Sequence, residues 1–359
     1  MRYLLLIASD GNVVLADADN RVRMPIGQPL IAGQQSRVSS AVWSPGGEWT
    51  AWAVDSESPD GACELRIHDE DTDQSWVLAE SVRAFYLCSS PDGRWLSHLS
   101  PGPLGLELAL SEVSTGEVKV IERGQPLFWS WSSDGAKLAV HVEDRVLIAD
   151  VPVDVPGDKG GSAPEVICQQ ADPFIVPWWL PGGSLAYAAG GQIVSTGPDG
   201  VMTTLVDSGT TGRFSPDPDG RRIAHIEVDG ERTRLVVADL LGGEQQVVTT
   251  DPVGCFFWSR DGGLLAALVG ADGGGVQWLV FDGSKSWTLP SFRPSRSWAA
   301  TVLPFFEQYA QSHSHWSPDG RQLIAPAVDA DGLSGALIQD IDPSVPTQWM
   351  PDAELAWWA

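Results

Sequence analysis

The chain has 359 residues, 43% of them hydrophobic, and a net charge of −25. That length suffices for a large core, and that charge repels phosphate backbones and anionic lipid, which argues against nucleic acid and membrane as partners and favours a basic one. Frequent, scattered glycine (38) and proline (26) fit an all-β chain with many turns.

The first element reads as a hairpin. Tyr3 to Ala8 is apolar, Asp10-Gly11 makes a turn, and Asn12 to Ala16 returns as a second strand. The apolar run, about six residues, is too short for a secretory core or a membrane span, and no later segment approaches spanning length. The expectation is a cytoplasmic protein. Cys63, Cys88, Cys168 and Cys255 form no CxxC pair, so they read as reduced thiols or inert core residues.

A repeat then begins and continues to the end. Its copies are Trp43-Ser44-Pro45-Gly46-Gly47, Ser89-Ser90-Pro91-Asp92-Gly93, Trp131-Ser132-Ser133-Asp134-Gly135, the degenerate Trp179-Leu180-Pro181-Gly182-Gly183, Pro218-Asp219-Gly220, Trp258-Ser259-Arg260-Asp261-Gly262 and Trp316-Ser317-Pro318-Asp319-Gly320. The spacings of the final glycines are 46, 42, 48, 37, 42 and 58. This is the period of a four-stranded propeller blade. Pro-Asp-Gly is a tight turn: proline presets φ, aspartate bonds nearby backbone, and glycine supplies φ > 0. An apolar strand enters it and another leaves, with Ala51, Ala139, Ala224 and Ala266 recurring where backbones approach closely. Two further short strands follow, so each unit is an antiparallel meander, A-B-C-D. A lone meander has two bare faces, and radial packing covers both.

Within the third unit, Pro152 to Pro164 is rich in glycine and proline and reads as a loop between strands C and D. The largest departure follows the sixth unit's D strand. Ser291 to Ser312 (SFRPSRSWAATVLPFFEQYAQS) is a long aromatic connection between that D strand and the next A strand. Leu303 to Gln311 has the composition of a short helix with Pro304 in its first turn. Because a D-to-A connection crosses the face where the central channel opens, Arg293, Arg296, Trp298, Phe305, Phe306 and Tyr309 are candidate binding residues; the competing reading is an aromatic plug over exposed core. His313 and His315 point to one face of a strand and join the candidates. A metal site needs a third ligand, and spacing offers none.

The chain ends on Ala353 to Ala359, an A strand without its turn, and begins with strands suited to B, C and D at Tyr3–Ala8, Val13–Ala16 and Arg21–Met24. Together they complete one blade. The expectation is one domain over 1–359, an all-β propeller of eight blades, or seven if the termini pair differently. The recurring tryptophans read as packing between blades. Trp129, Trp178 and Trp357 are irregular neighbours that could reach the channel. His98 and His225 occupy core positions, while His141 is expected on the other side of its strand. Arg94, Arg221 and Arg321 follow turn glycines and read as solvated.

The Trp-Ser-Pro-Asp-Gly-Arg units, followed by Ile-Ala or Leu-Ile-Ala, resemble the TolB-like propeller repeat, a relative of the WD repeat. The resemblance spans nearly the whole chain. It implies the fold but no single function: such propellers occur as periplasmic protein-binding modules and as substrate gates of oligopeptidases. No peptidase domain is read after this propeller and no signal peptide before it.

Catalytic motifs are missing. There is no G-x-S-x-G, Walker, dinucleotide or H-E-x-x-H pattern. The acidic stretches at Asp17–Asn20, Asp69–Asp73 and Asp329–Gly332 read as hairpin turns rather than Ca²⁺ loops. No catalytic residue, metal or cofactor is expected. The functional expectation is a non-catalytic binding or scaffold module that engages a protein or basic peptide through the channel mouth and the 291–312 segment. The alternative is a channel-mouth hydrolase or lyase acting on a carbohydrate or peptide-like substrate.

Overall fold

The repeated turn sets the architecture. Its serine hydroxyl accepts a backbone N–H from five residues on: Trp49 to Ser44, Trp95 to Ser90, Lys137 to Ser132, Leu264 to Ser259 and Gln322 to Ser317, at 2.9–3.0 Å. The same hydroxyl donates to the turn aspartate in Ser90–Asp92, Ser132–Asp134, Ser259–Asp261 and Ser317–Asp319, at 2.6–2.7 Å. In the first unit glycine replaces that aspartate, and Glu48 takes the bond at 3.0 Å. In the fifth, Asp217 replaces the serine and accepts from the amides of Arg221 and Arg222. The closing glycines have φ near +70° (Gly135, 70°; Gly262, 70°; Gly320, 67°), a conformation that costs any residue with a Cβ. A side-chain hydroxyl thus fastens the loop that joins strands A and B.

The computed structural model describes residues 3–19, 21–27, 36–56, 63–103, 105–151, 163–207 and 209–359, with only the backbone of 36, 210, 211 and 229. Eight four-stranded antiparallel sheets form the blades of a β-propeller. The first blade comprises Ser36–Trp43, Trp49–Ser56, Glu64–Asp69 and Gln74–Glu80, and the next six follow in chain order. The eighth combines both ends of the chain. Leu355–Trp358 is its inner strand and pairs with Tyr3–Ile7, with Leu4 opposite Trp358 and Ile7 opposite Leu355. Val13–Asp17 and Arg23–Pro25 complete it. The ring closes as the sequence implies, with eight blades rather than seven.

Blade contacts bury the expected positions. Ala51, Ala139, Ala224 and Ala266 are fully buried, as are His98, His141 and His225. His141, one place further along its strand, is buried too, with its ring between the carbonyls of Ile175 (2.9 Å) and Glu143 (3.0 Å). The repeat tryptophans join neighbouring blades by hydrogen bonds as well as by packing. The indole N–H of Trp179 donates to Ser130 O, that of Trp258 to Ser215 O and that of Trp316 to Phe257 O, in each case an A-strand carbonyl of the preceding blade. The acidic stretches close on themselves, with Asp69 accepting from the Thr72 amide and Asp329 from those of Asp331 and Leu333. The loop expected at Pro152–Pro164 lies outside the described residues up to 162.

The long aromatic segment enters the fold differently from the expected D-to-A connection. Arg293–Pro294 already pairs with Val328 and Ala327, so the seventh blade's A strand starts before the excursion. Proline has no N–H to continue the ladder. Ser295 instead caps a helix, α1 (Arg296–Thr301), by accepting the Trp298 amide at 3.2 Å. A 3₁₀ turn at Leu303–Phe305 and a single turn, α2 (Phe306–Tyr309), follow. The chain then rejoins its own sheet, where the Ile324 amide donates to His315 O and Trp316 bridges Leu323. The insertion is looped out of strand A, over the centre of the ring.

Candidate functional site

An A strand is the inner edge of its blade, so its outward N–H and C=O groups face the channel without a ladder partner. The insertion supplies those partners. The Gln308 amide accepts from Trp129 N at 2.9 Å and donates to Trp129 O at 2.8 Å, as a neighbouring strand would. The His313 Nε2–H donates to Ala41 O at 2.9 Å, leaving Nδ1 to accept from the Ser312 hydroxyl. Trp358 N donates to Ser314 O at 2.9 Å. The Tyr86 hydroxyl donates to Gln308 O; Tyr86 sits at a bulge with φ of 44°, which aims the phenol inward. On the far side Phe306 packs edge-on against Phe256 and Phe257, with centroids 4.7 and 5.9 Å away. The segment is a plug that ties the seventh blade to the first, second, third, sixth and eighth.

This placement sorts the candidate residues. Trp298, Phe306, His313 and His315 are buried and act inside the plug. Burial pushes both imidazoles down to about 4, so they stay neutral, and His315 Nδ1–H is committed to Ile324 O. Tyr309 is half-buried, with its phenol pushed up to about 12 by desolvation. Arg293 is exposed on the seventh blade and donates to Asp329 O, and Arg296 stands exposed at the start of α1. Phe305 alone among the six aromatic and arginine candidates of the insertion is a large apolar side chain open to solvent, at 44% exposure. Trp129 and Trp357 reach the plug: Trp357 lies against His313 with centroids 4.6 Å apart.

Among the described residues, a concavity opens on each face of the plug. On the face where the A strands begin, a bowl of about 930 Å³ opens. Phe85, Tyr86, Leu127 and Phe128 line one side, Phe305, Gln308 and Tyr309 form part of the floor, and Arg37 and Glu354 supply charge. Phe128 is flanked by Phe174 and Phe305, each 6.4 Å away between centroids. Phe174, 65% exposed, stands in the connection between the third and fourth blades. Glu354 accepts from the Ser297 hydroxyl at 2.8 Å. On the opposite face a funnel of about 730 Å³ is lined by Trp43, Trp178, Trp179 and Trp258, with Gln311 to Ser314 across its base. Sequence reading missed Phe85, Phe128 and Phe174, because they belong to no shared motif and meet only when the ring closes.

Several solved structures of similar shape are remote in sequence. A eukaryotic initiation factor aligns over 100% of this chain and 98% of its own at 14% identity, with a TM-score of 0.62. The dihydro-heme d1 dehydrogenase NirN, in complex with DHE, aligns over 99% of this chain and 74% of its own at 15% identity and a TM-score of 0.62. An oligogalacturonate lyase in complex with manganese aligns over 96% and 97% at 16% identity and a TM-score of 0.58. TolB from Acinetobacter baumannii is also among the similar structures, at 14% identity and a TM-score of 0.45. No protein-family model and no curated protein matches the chain. At these identities the likeness establishes the propeller fold, which hosts factors, dehydrogenases and lyases alike. Among the described residues no group of three His, Cys, Asp or Glu side chains is placed to hold a metal ion. No described helix is long and apolar enough to cross a membrane.

Proposed function

We propose that the protein is a binding module whose channel-mouth bowl receives an apolar, aromatic-bearing segment of a protein partner. The observation that carries this reading is the bowl itself: a concave apolar wall drawn from several blades, with Phe174 exposed at its side and Phe305 exposed in its floor. Large apolar side chains left open on a rigid concave surface favour a partner that covers them. Rings with two side-chain torsions also offer contact area at low entropic cost. The net charge of −25 and Glu354 in the wall favour basic residues beside the partner's apolar anchor.

The hydrolase or lyase alternative would draw on His313 and His315, yet those rings are buried, neutral and bonded to backbone carbonyls. A general acid or base must reach a substrate proton. A displayed peptide library panned on the native protein tests the binding reading. Native protein should enrich sequences with an aromatic residue flanked by Lys or Arg, and Phe174→Asp/Phe305→Asp protein should not. Enrichment of nothing, or of the same sequences on both proteins, would overturn it.

A further inference from the structure

One cation holds the second half of the insertion from three sides. Arg213 projects from Thr210–Pro216, the fifth blade's A strand. Its Nη2 donates to Pro304 O at 3.0 Å, its guanidinium lies 5.4 Å from the centre of the Phe306 ring, and its Nε is 3.9 Å from Glu307 Oε1. The last contact is the weak one. Glu307 is 8% exposed and Arg213 38% exposed, so the carboxyl has left water while its cation has not. At 3.9 Å the guanidinium provides no short hydrogen bond in return. With only its own backbone N–H and the distant guanidinium to compensate it, a carboxylate in that position is costlier to bury than a neutral carboxyl. The other titratable group facing it is Cys255 of the sixth blade, a buried thiol held well above its usual range and therefore uncharged. The third blade's strand Leu127–Trp131, which also packs on α2, contributes no ionisable side chain.

We propose that residues 303–309 are a pH-sensitive floor for the bowl, seated while Glu307 is protonated and loosened when it ionises. The proposal rests on the bowl being the binding site, because Phe305, Gln308 and Tyr309 line it and bracket Glu307. Desolvation lifts the Glu307 carboxyl from 4.5 to about 7, so the seated form loses ground as the pH rises from about 4.5 and the loss levels off above about 7. The sign follows from proton uptake. The seated state holds the proton to about 7, whereas a loosened, solvated carboxyl releases it near 4.5. Raising the pH from 6 to 8 therefore lowers the ratio of seated to loosened forms about tenfold. Arg213 is a positioning residue. Its charge opposes the upward displacement and its other two contacts hold the turn in place.

Two readouts on the full chain test this separately. In hydrogen exchange, corrected for the intrinsic rate, amides of 303–312 should lose about tenfold protection between pH 6 and 8. Glu307→Gln protein should show no such change. Arg213→Gln should move the transition to higher pH, which a purely structural contact would not do. The second readout is binding of the neutral apolar dye N-phenyl-1-naphthylamine, which should weaken with pH in the native protein and stay level in Glu307→Gln. A native insertion equally protected at both pH values, or a Glu307→Gln variant with the native response, would overturn the switch. Loss of protection as expected without dye binding at any pH would keep the switch and overturn the bowl as the binding site.

Discussion

Phe305 and Phe306 are neighbours with opposite environments, and truncating each to alanine distinguishes a plug from a surface loop. Phe306 is 1% exposed, with Phe256, Phe257 and the Arg213 guanidinium around its ring. Removing a ring that buries roughly 200 Å² of apolar surface costs about 5 kcal/mol at 25 cal/mol per Å². Measured Phe→Ala losses in cores, about 3–5 kcal/mol, bracket that value. Phe305 keeps 44% of its surface in water, and its removal leaves no enclosed cavity. Its loss should cost about 1 kcal/mol. Urea titration of both variants against the native protein, with the slope m held as a control, gives the two differences. Equal losses, or a Phe306→Ala protein within about 1 kcal/mol of native, would refute a seat for this ring inside the channel.

Three further outcomes follow from the same contacts. Ser259→Ala removes a hydroxyl that accepts the Leu264 amide and donates to Asp261, and should cost about 1–2 kcal/mol by urea titration. Trp316→Phe keeps most of the apolar volume but leaves Phe257 O without its indole donor, for a loss of about 1–3 kcal/mol in the same assay. Stability should fall on acidification. His98, His225, His313 and His315 are each pushed down to about 4 from 6.5 by burial, so the unfolded chain takes up protons first. Their contribution is complete above about 6.5 and is lost as the pH falls toward 4, at about 2 kcal/mol per ring by pH 5. Glu307 works in the opposite sense and offsets about one of the four. An unchanged urea midpoint between pH 7 and pH 5 would contradict this.

Local chemistry repeated seven times made the ring legible. Each turn is determined by residues within a few positions of one another, and the blade period follows from their spacing. The shared eighth blade was legible because Leu355–Trp358 ends without its turn and Tyr3–Ile7 begins without its A strand. The insertion was legible as an aromatic departure, but not where it joins the sheet. That junction depends on Arg293–Pro294 pairing with Ala327 and Val328, some 33 residues on, with no local signal. Helix α1 was missed because its cap, Ser295, follows a proline in a stretch that reads as a connection. The two histidines were picked out as polar residues near a channel, and their burial follows from a plug that only the closed ring creates. The bowl was the least legible. Phe85, Phe128 and Phe174 lie in separate blades or connections, and the wall they share is a property of the ring rather than of any segment.

Calorimetric titration of a selected aromatic, basic peptide into native and Phe174→Asp/Phe305→Asp protein tests the bowl most directly. Native protein should show a negative heat-capacity change, since apolar surface is buried, and the variant an affinity at least about 30-fold weaker, equivalent to about 2 kcal/mol. Equal affinity for both proteins would contradict it and place the binding surface elsewhere on the ring.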